Sequence, residues 1–205
     1  MEVMISHLVE WGAAERPKAG ETLSGDMHLV KALGDSTLVA VADGLGHGAA
    51  AAEAARLALE TVEEYSHKPL VQVLENCNLR LRQARGAVMT MAILNHLESS
   101  MEWVGVGNVE GVLVRSMPGG KTTKESLLLS SGVLGASLPP LRTSALKIGS
   151  GDTLVLATDG IRRGFEDRMV LFEMPAKTAE GILARDGLDT DDALVLVATI
   201  HGRPR

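Results

Sequence analysis

Val39-Ala40-Val41-Ala42-Asp43-Gly44-Leu45-Gly46-His47-Gly48 is the stretch that decides how this chain is read. Four apolar residues run into an acid, and glycines occupy every second position after it. An apolar run of that length reads as a buried strand, and glycine lets the backbone turn sharply where the run ends. Asp43 is thereby delivered to the rim of a core. Leu154-Val155-Leu156-Ala157-Thr158-Asp159-Gly160 repeats the arrangement, and Asp191-Asp192 stands at the mouth of a third apolar run, Ala193-Leu194-Val195-Leu196-Val197. Three buried strands that each present an acid at one tip can gather those acids around a cation.

Working outward, residues 27–33 and 37–42 read as strands of an antiparallel meander joined by Gly34-Asp35-Ser36, with Gly25-Asp26 at its start. Taken alone, Asp26 is an ordinary turn residue; its nearness to the Asp43 strand gives it a functional reading. Residues 3–11 suggest a first strand, and 12–24, broken by Pro17 and Gly20, read as turn-prone. Beyond Gly48, Ala52, Ala55, Leu59 and Val62 recur at helical spacing over 49–64. Pro69 opens a second helix on which Leu70, Val73, Leu74, Cys77 and Leu81 share a face. Both stripes read as core, and Cys77 as a small buried hydrophobe.

Residues 87–94, 101–106, 109–114, 126–129, 143–148 and 153–158 read as strands, followed by a short helix at 176–184 and a last strand at 193–200. Runs of strands on either side of two helices indicate an α+β fold rather than alternating βαβ units. The unbroken apolar runs require burial on both faces, which two antiparallel sheets packed together with helices outside provide. The expected architecture is a four-layer αββα sandwich forming a single domain over residues 1–205.

Composition narrows the function. A net charge of -6 and an aromatic content of 2% argue against nucleic acid, which needs basic surface and, for single strands, stacking platforms. The single cysteine excludes an intrachain disulfide and suits a reducing cytoplasm. No stretch reads as an export signal or approaches 18 uninterrupted apolar residues, so neither a leader nor a membrane anchor is expected.

The gathered acids have a cost that fixes the chemistry. Two carboxylates about 4 Å apart repel by about 4 kcal/mol at an effective dielectric near 20. Divalent cations remove that penalty, and an all-oxygen ligand set suits Mg²⁺ or Mn²⁺, whereas zinc would recruit His or Cys. Two such ions can share a water, lower its pKa and aim it at phosphorus.

The ordered set Gly25-Asp26, Asp43-Gly44-Leu45-Gly46-His47-Gly48, Arg85-Gly86-Ala87-Val88-Met89-Thr90, Gly107-Asn108, Asp159-Gly160 and Asp191-Asp192 resembles the metal-dependent serine/threonine phosphatases of type 2C, and within them the SpoIIE-like branch. The pattern spans residues 5–200. It implies hydrolysis of phosphoserine and phosphothreonine on proteins at a centre of two Mn²⁺ or Mg²⁺ ions. It further implies that Asp43 bridges the ions with help from the Gly44 carbonyl, that Asp159 and Asp191 hold the second ion, and that Asp26 acts through water. Asp192 is expected to orient its neighbours, while Thr90, Gly107 and Asn108 line the site. Phosphorylated STAS-domain proteins of a stressosome are the partners the resemblance implies, with a reset of stress signalling as the outcome.

Three departures from the family pattern stand out. Larger relatives place a histidine directly after the Asp-Gly pair, where this chain has Leu45; His47 then reads either as an acid catalyst or as a residue of the turn. Arg16 lies far ahead of Asp26 for a phosphate-gripping arginine and reads as a loop charge. Residues 116–143 and 162–175 leave no room for a large flap, so an open site suited to a folded protein substrate is expected. A catalytically silent phosphoprotein adaptor and a small-molecule phosphoesterase are the alternative readings.

Overall fold

Two five-stranded antiparallel sheets lie face to face in the computed structural model, which describes residues 8–172 and 174–201. The first sheet runs β1 (Val9–Arg16), β10 (Ala193–Ile200), β9 (Thr153–Ala157), β6 (Glu110–Ser116) and β7 (Thr122–Ser126). The second runs β2 (Asp26–Leu33), β3 (Ser36–Gly44), β4 (Ala87–Asn95), β5 (Ser100–Val106) and β8 (Ser144–Lys147). Helices α1 (Ala49–Glu64) and α2 (Leu70–Arg80) cover the outer face of the second sheet. The short α3 (Phe165–Arg168) and α4 (Pro175–Asp186) cover the first. This is the α+β, αββα sandwich expected from the apolar runs.

Strand alternation explains why those runs are unbroken. In β3, Leu38, Ala40 and Ala42 face α1 and α2, whereas Val39 and Val41 enter the seam between the sheets. In β9, Val155 and Ala157 face α3 and α4 while Leu154 and Leu156 enter the seam. β10 divides likewise, with Val195 and Val197 outward and Leu194 and Leu196 inward. Each strand is apolar on both faces because each face meets a core. Cys77 is one of the buried residues beneath α1, with its thiol on the Ala58 carbonyl and its pKa pushed up to about 12 by burial.

The first strand differs from its expected limits. Residues 3–7 lie outside those described, and the strand continues to Arg16 through Gly12, in full register with β10 from Val9↔Ile200 to Arg16↔Ala193. Gly12 does not break the strand; it admits the start of α4. A Cβ there would lie 2.4 Å from the Ala176 backbone. The strand expected at 126–129 is displaced to Thr122–Ser126, an exposed edge strand, because Leu127 instead turns in to bond Gly111. No helix among the described residues is long and apolar enough to cross a membrane.

Gly12→Ala should therefore destabilise the fold by about 1–3 kcal/mol, the usual cost of forcing atoms into a packed interior. Gly149→Ala, whose new methyl would meet only Asp152 Oδ2 at 4.0 Å, serves as the control. Urea denaturation of both variants measures the difference, and equal midpoints would refute the account of Gly12.

Candidate metal centre

Seam-facing parity carries the acids to one rim. Asp43 follows Val39 and Val41 on the inward face of β3, and Asp26 is its direct cross-strand partner. Thr158 continues the inward series Leu154, Leu156, and Asp192 precedes Leu194 and Leu196 on the same parity. Four polar residues from four strand ends thus meet where the two sheets stop.

The backbone approaches closely there, which the glycines permit. A Cβ on Gly44 would lie 2.0 Å from the Ala51 carbonyl oxygen, and one on Gly160 would lie 1.9 Å from that of Asp192. Gly25 faces both the Gly44 carbonyl and the Asp192 carboxylate, at 3.4 and 3.1 Å from the position of its absent Cβ. The Gly44 N–H donates to the Gly25 carbonyl at 3.0 Å. The Asp43-Gly44, Asp159-Gly160 and Asp191-Asp192 pairs are therefore neighbours in space.

Each acid has a distinct setting. Asp26 is buried and accepts a 2.7 Å bond from the Thr158 hydroxyl, which itself accepts from the Leu194 N–H at 2.8 Å. Asp192, also buried, accepts from the backbone N–H groups of Lys18 and Gly25 at 2.8 and 2.9 Å, fastening the 17–25 loop to the start of β10. Asp159 accepts from Asn108 Nδ2 at 2.8 Å. Thr90, the cross-strand partner of Val41, is seam-facing and bonds the Val109 carbonyl at 2.7 Å. Gly107, at φ +99°, packs against Val88 as the chain turns toward Asn108.

Burial, followed by the negative charge of Asp26, Asp159, Asp191 and Asp192, pushes the Asp43 pKa up to about 8. Burial likewise raises Asp26 to about 7, against the Thr158 hydrogen bond and with the same neighbours adding to it. Asp159 is raised by burial and then by Asp191. The five carboxylates act on one another through space without enclosing a point: among the described residues, no three His, Cys, Asp or Glu side chains stand close enough to hold an ion as placed. The donor set nevertheless fits a hard divalent cation. It is all oxygen, it is destabilised as anions, and among the described residues neither Asp26 nor Asp43 has a cationic partner.

The remaining candidates fall into place around the rim. His47 Nδ1 lies 2.6 Å from Glu21 Oε1, so His47 ties the turn to the 17–25 loop. Leu45 is partly exposed beside Gly86. Arg16 is at a strand end rather than in a loop and pairs with Asp189 at 3.0 Å. Sequence reading assigned no role to Glu21 or Thr158. The alternation of β9 is the signal that would have placed Thr158 in the seam beside Asp26; Glu21 gives no comparable signal.

A two-sheet sandwich with acids at one rim is the architecture of type 2C phosphatases, and comparison agrees. Residues 34–177 match the family described as Stage II sporulation protein E (SpoIIE). The chain belongs to this family, a branch of the metal-dependent serine/threonine phosphatases, and is an enzyme of that class. It is 29% identical over 144 residues to the phosphoserine phosphatase RsbX of Bacillus subtilis (strain 168), covering 70% of each chain. A structure of RsbX in complex with magnesium superposes with a TM-score of 0.83 at 22% identity, covering 97% of this chain and 98% of that one. A chain from work on the bacterial stressosome as a modular system adapted to control secondary messenger signalling superposes at 0.84, with 28% identity over 93% of this chain and 98% of that one.

The raised carboxylates give a pH dependence with a definite sign. Asp26 and Asp43 bind protons more tightly folded than unfolded, so folding takes up protons between the ordinary carboxylate value of 3.8 and about 8. Their contribution to metal-free stability is complete below that window and is lost as pH rises through it. In chelator, the protein should lose at least about 1 kcal/mol between pH 5 and pH 8, and Asp43→Asn should lose less. Urea midpoints at the two pH values check this, and identical slopes for both proteins would contradict it.

Proposed function

We propose that the rim carboxylates hold two Mn²⁺ or Mg²⁺ ions and that the enzyme hydrolyses phosphoserine and phosphothreonine on STAS-domain proteins of a stressosome. In this reading Asp43 holds both ions, the Gly44 carbonyl completes one site, Asp159 and Asp191 hold the other ion, and Asp26 contributes through an intervening water. Bound divalent ions supply Lewis acidity, lowering the pKa of water and offsetting charge on the phosphoryl group.

The residues around the ligands set their positions. Asn108 holds one Asp159 oxygen and so orients the other. Thr158 fixes Asp26 to the first sheet. Asp192, with both oxygens on backbone N–H groups, holds the loop that brings Gly25 against Gly44.

One contrast carries the proposal. Buried Asp152 pairs with Arg115 at 3.3 Å and buried Asp186 pairs with Arg168 at 2.9 Å, whereas buried Asp26 has the Thr158 hydroxyl and no cation, and its partner Asp43 has only other acids as charged neighbours. With the other buried acids satisfied by arginines or by backbone N–H groups, this pair is left for cations from solution. Between β6 and β8 and between β9 and α4, the described residues form no element longer than the five-residue β7, which supports a rim open to a folded substrate. Similarity to RsbX and to a stressosome chain supports the choice of substrate.

Mn²⁺ should support turnover of p-nitrophenyl phosphate, and Asp43→Ala should lower kcat by at least about 100-fold without altering the circular dichroism spectrum. Full activity of that variant, or activity unaffected by chelation, would exclude the assignment. Release of phosphate from phosphorylated stressosome STAS proteins tests the substrate. Indifference to them alongside activity on other phosphoproteins would overturn that choice alone.

A further inference from the structure

Beside the rim lies a cleft of about 400 Å³ with no role in holding the acids together. Its walls come from residues 126–129, from Arg163, Gly164 and Glu166, and from the start of β6. Its link to the rim acids runs through Asp159. Glu110 is the cross-strand partner of Ala157, two residues before Asp159, and stands two residues after Asn108, which bonds Asp159. The Arg163 charge also reaches Asp159.

Negative charge in this cleft is incompletely matched. Glu166 Oε2 is buried and has no hydrogen-bond partner among the described residues. Lys124 is occupied by the Glu166 backbone carbonyl and lies 3.9 Å from Asp167, not on the Glu166 carboxylate. Arg163 is 3.7 Å from Glu110, with its side chain 88% exposed, a separation at which an ion pair contributes little. Burial and then the Glu166 charge raise the Glu110 pKa, against the opposing pull of Arg163.

An apolar anchor borders the acids. Leu128 is 80% exposed although its backbone is fixed: Leu127 N–H bonds the Gly111 carbonyl at 2.7 Å, and Trp103 Nε1 donates to the Leu128 carbonyl at 3.3 Å. A large apolar side chain held outward on an ordered backbone is preorganised for contact with a partner.

We propose that this cleft receives the chain segment flanking the phosphorylated residue of a protein substrate, taking a lysine or arginine side chain on Glu110 and Glu166 with Leu128 against its stem. The inference rests on the phosphatase reading and adds a sequence preference to it: sites with a basic residue near the phosphoserine are favoured over sites with an acidic one. A long basic side chain meets both demands of the cleft, an apolar stem for Leu128 and a cationic head for the carboxylates.

The test measures kcat/KM with Mn²⁺ for two phosphoserine peptides that differ only in carrying Lys or Glu beside the phosphoserine, with p-nitrophenyl phosphate measured in parallel. The Lys peptide should be favoured about fivefold or more, the size of a partly screened charge pair. Glu110→Gln combined with Glu166→Gln should bring the ratio toward one, and Glu166→Lys should invert it. Because each ratio is taken within one preparation, partial misfolding of a variant does not change its meaning. Equal turnover of both peptides by an enzyme active on p-nitrophenyl phosphate would overturn the cleft assignment and leave the phosphatase standing. Absence of all three activities would overturn both.

Discussion

Asp26, buried, and Asp43, half-buried, face each other across one step of antiparallel sheet, with further acids as their electrostatic neighbours. Like charges placed so are a liability that a fold tolerates only when something offsets it. The Thr158 hydroxyl and protonation offset part of it for Asp26, and divalent ions would offset the rest. The sandwich can be understood as the scaffold that enforces this juxtaposition. Two sheets, each covered by its own helices, meet in a seam whose apolar filling ends at one rim, and the acids stand where the filling stops.

That enforcement depends on close backbone approach. Gly44 lies against Ala51 at the start of α1, and Gly160 lies against the Asp192 carbonyl. A side chain at either position would push one acid-bearing segment away from its neighbour. The loop at 17–25 contributes from outside the sheets: Asp192 grips it through Lys18 and Gly25, and Glu21 grips the Asp43 turn through His47. The rim is thus held by backbone contacts and neutral or paired polar groups, which leaves the carboxylates proposed as ligands available.

Much of this was legible from sequence because it depends on local pattern. Apolar runs ending in Asp-Gly gave the acid-bearing strands, and helical spacing gave α1 and α2. The misreadings have tertiary causes. Residues 12–24, with Pro17 and Gly20 as breakers, read as turn-prone, but Gly12 lies within β1 and accommodates α4, a contact between segments more than 160 residues apart. Residues 126–129 have strand composition, yet Leu127 is buried by bonding Gly111 and leaves Leu128 outside, so pairing shifts to 122–126. Thr158 was visible as a residue and not as a partner, since its value comes from Asp26, 132 positions away. The cleft at Glu110 and Glu166 has no sequence signature at all; it exists because β6 and α3 border the same space.

We propose that these distant aspartates are assembled to bind paired divalent ions. Diffraction from crystals soaked in Mn²⁺, recorded at a wavelength where manganese scatters anomalously, tests this most directly. The account predicts two peaks at the seam rim, each about 2.0–2.3 Å from its ligand oxygens, with Asp43 on both and Asp159 and Asp191 on one. Manganese bound elsewhere, or a rim without peaks in an enzyme that Mn²⁺ activates, would contradict it.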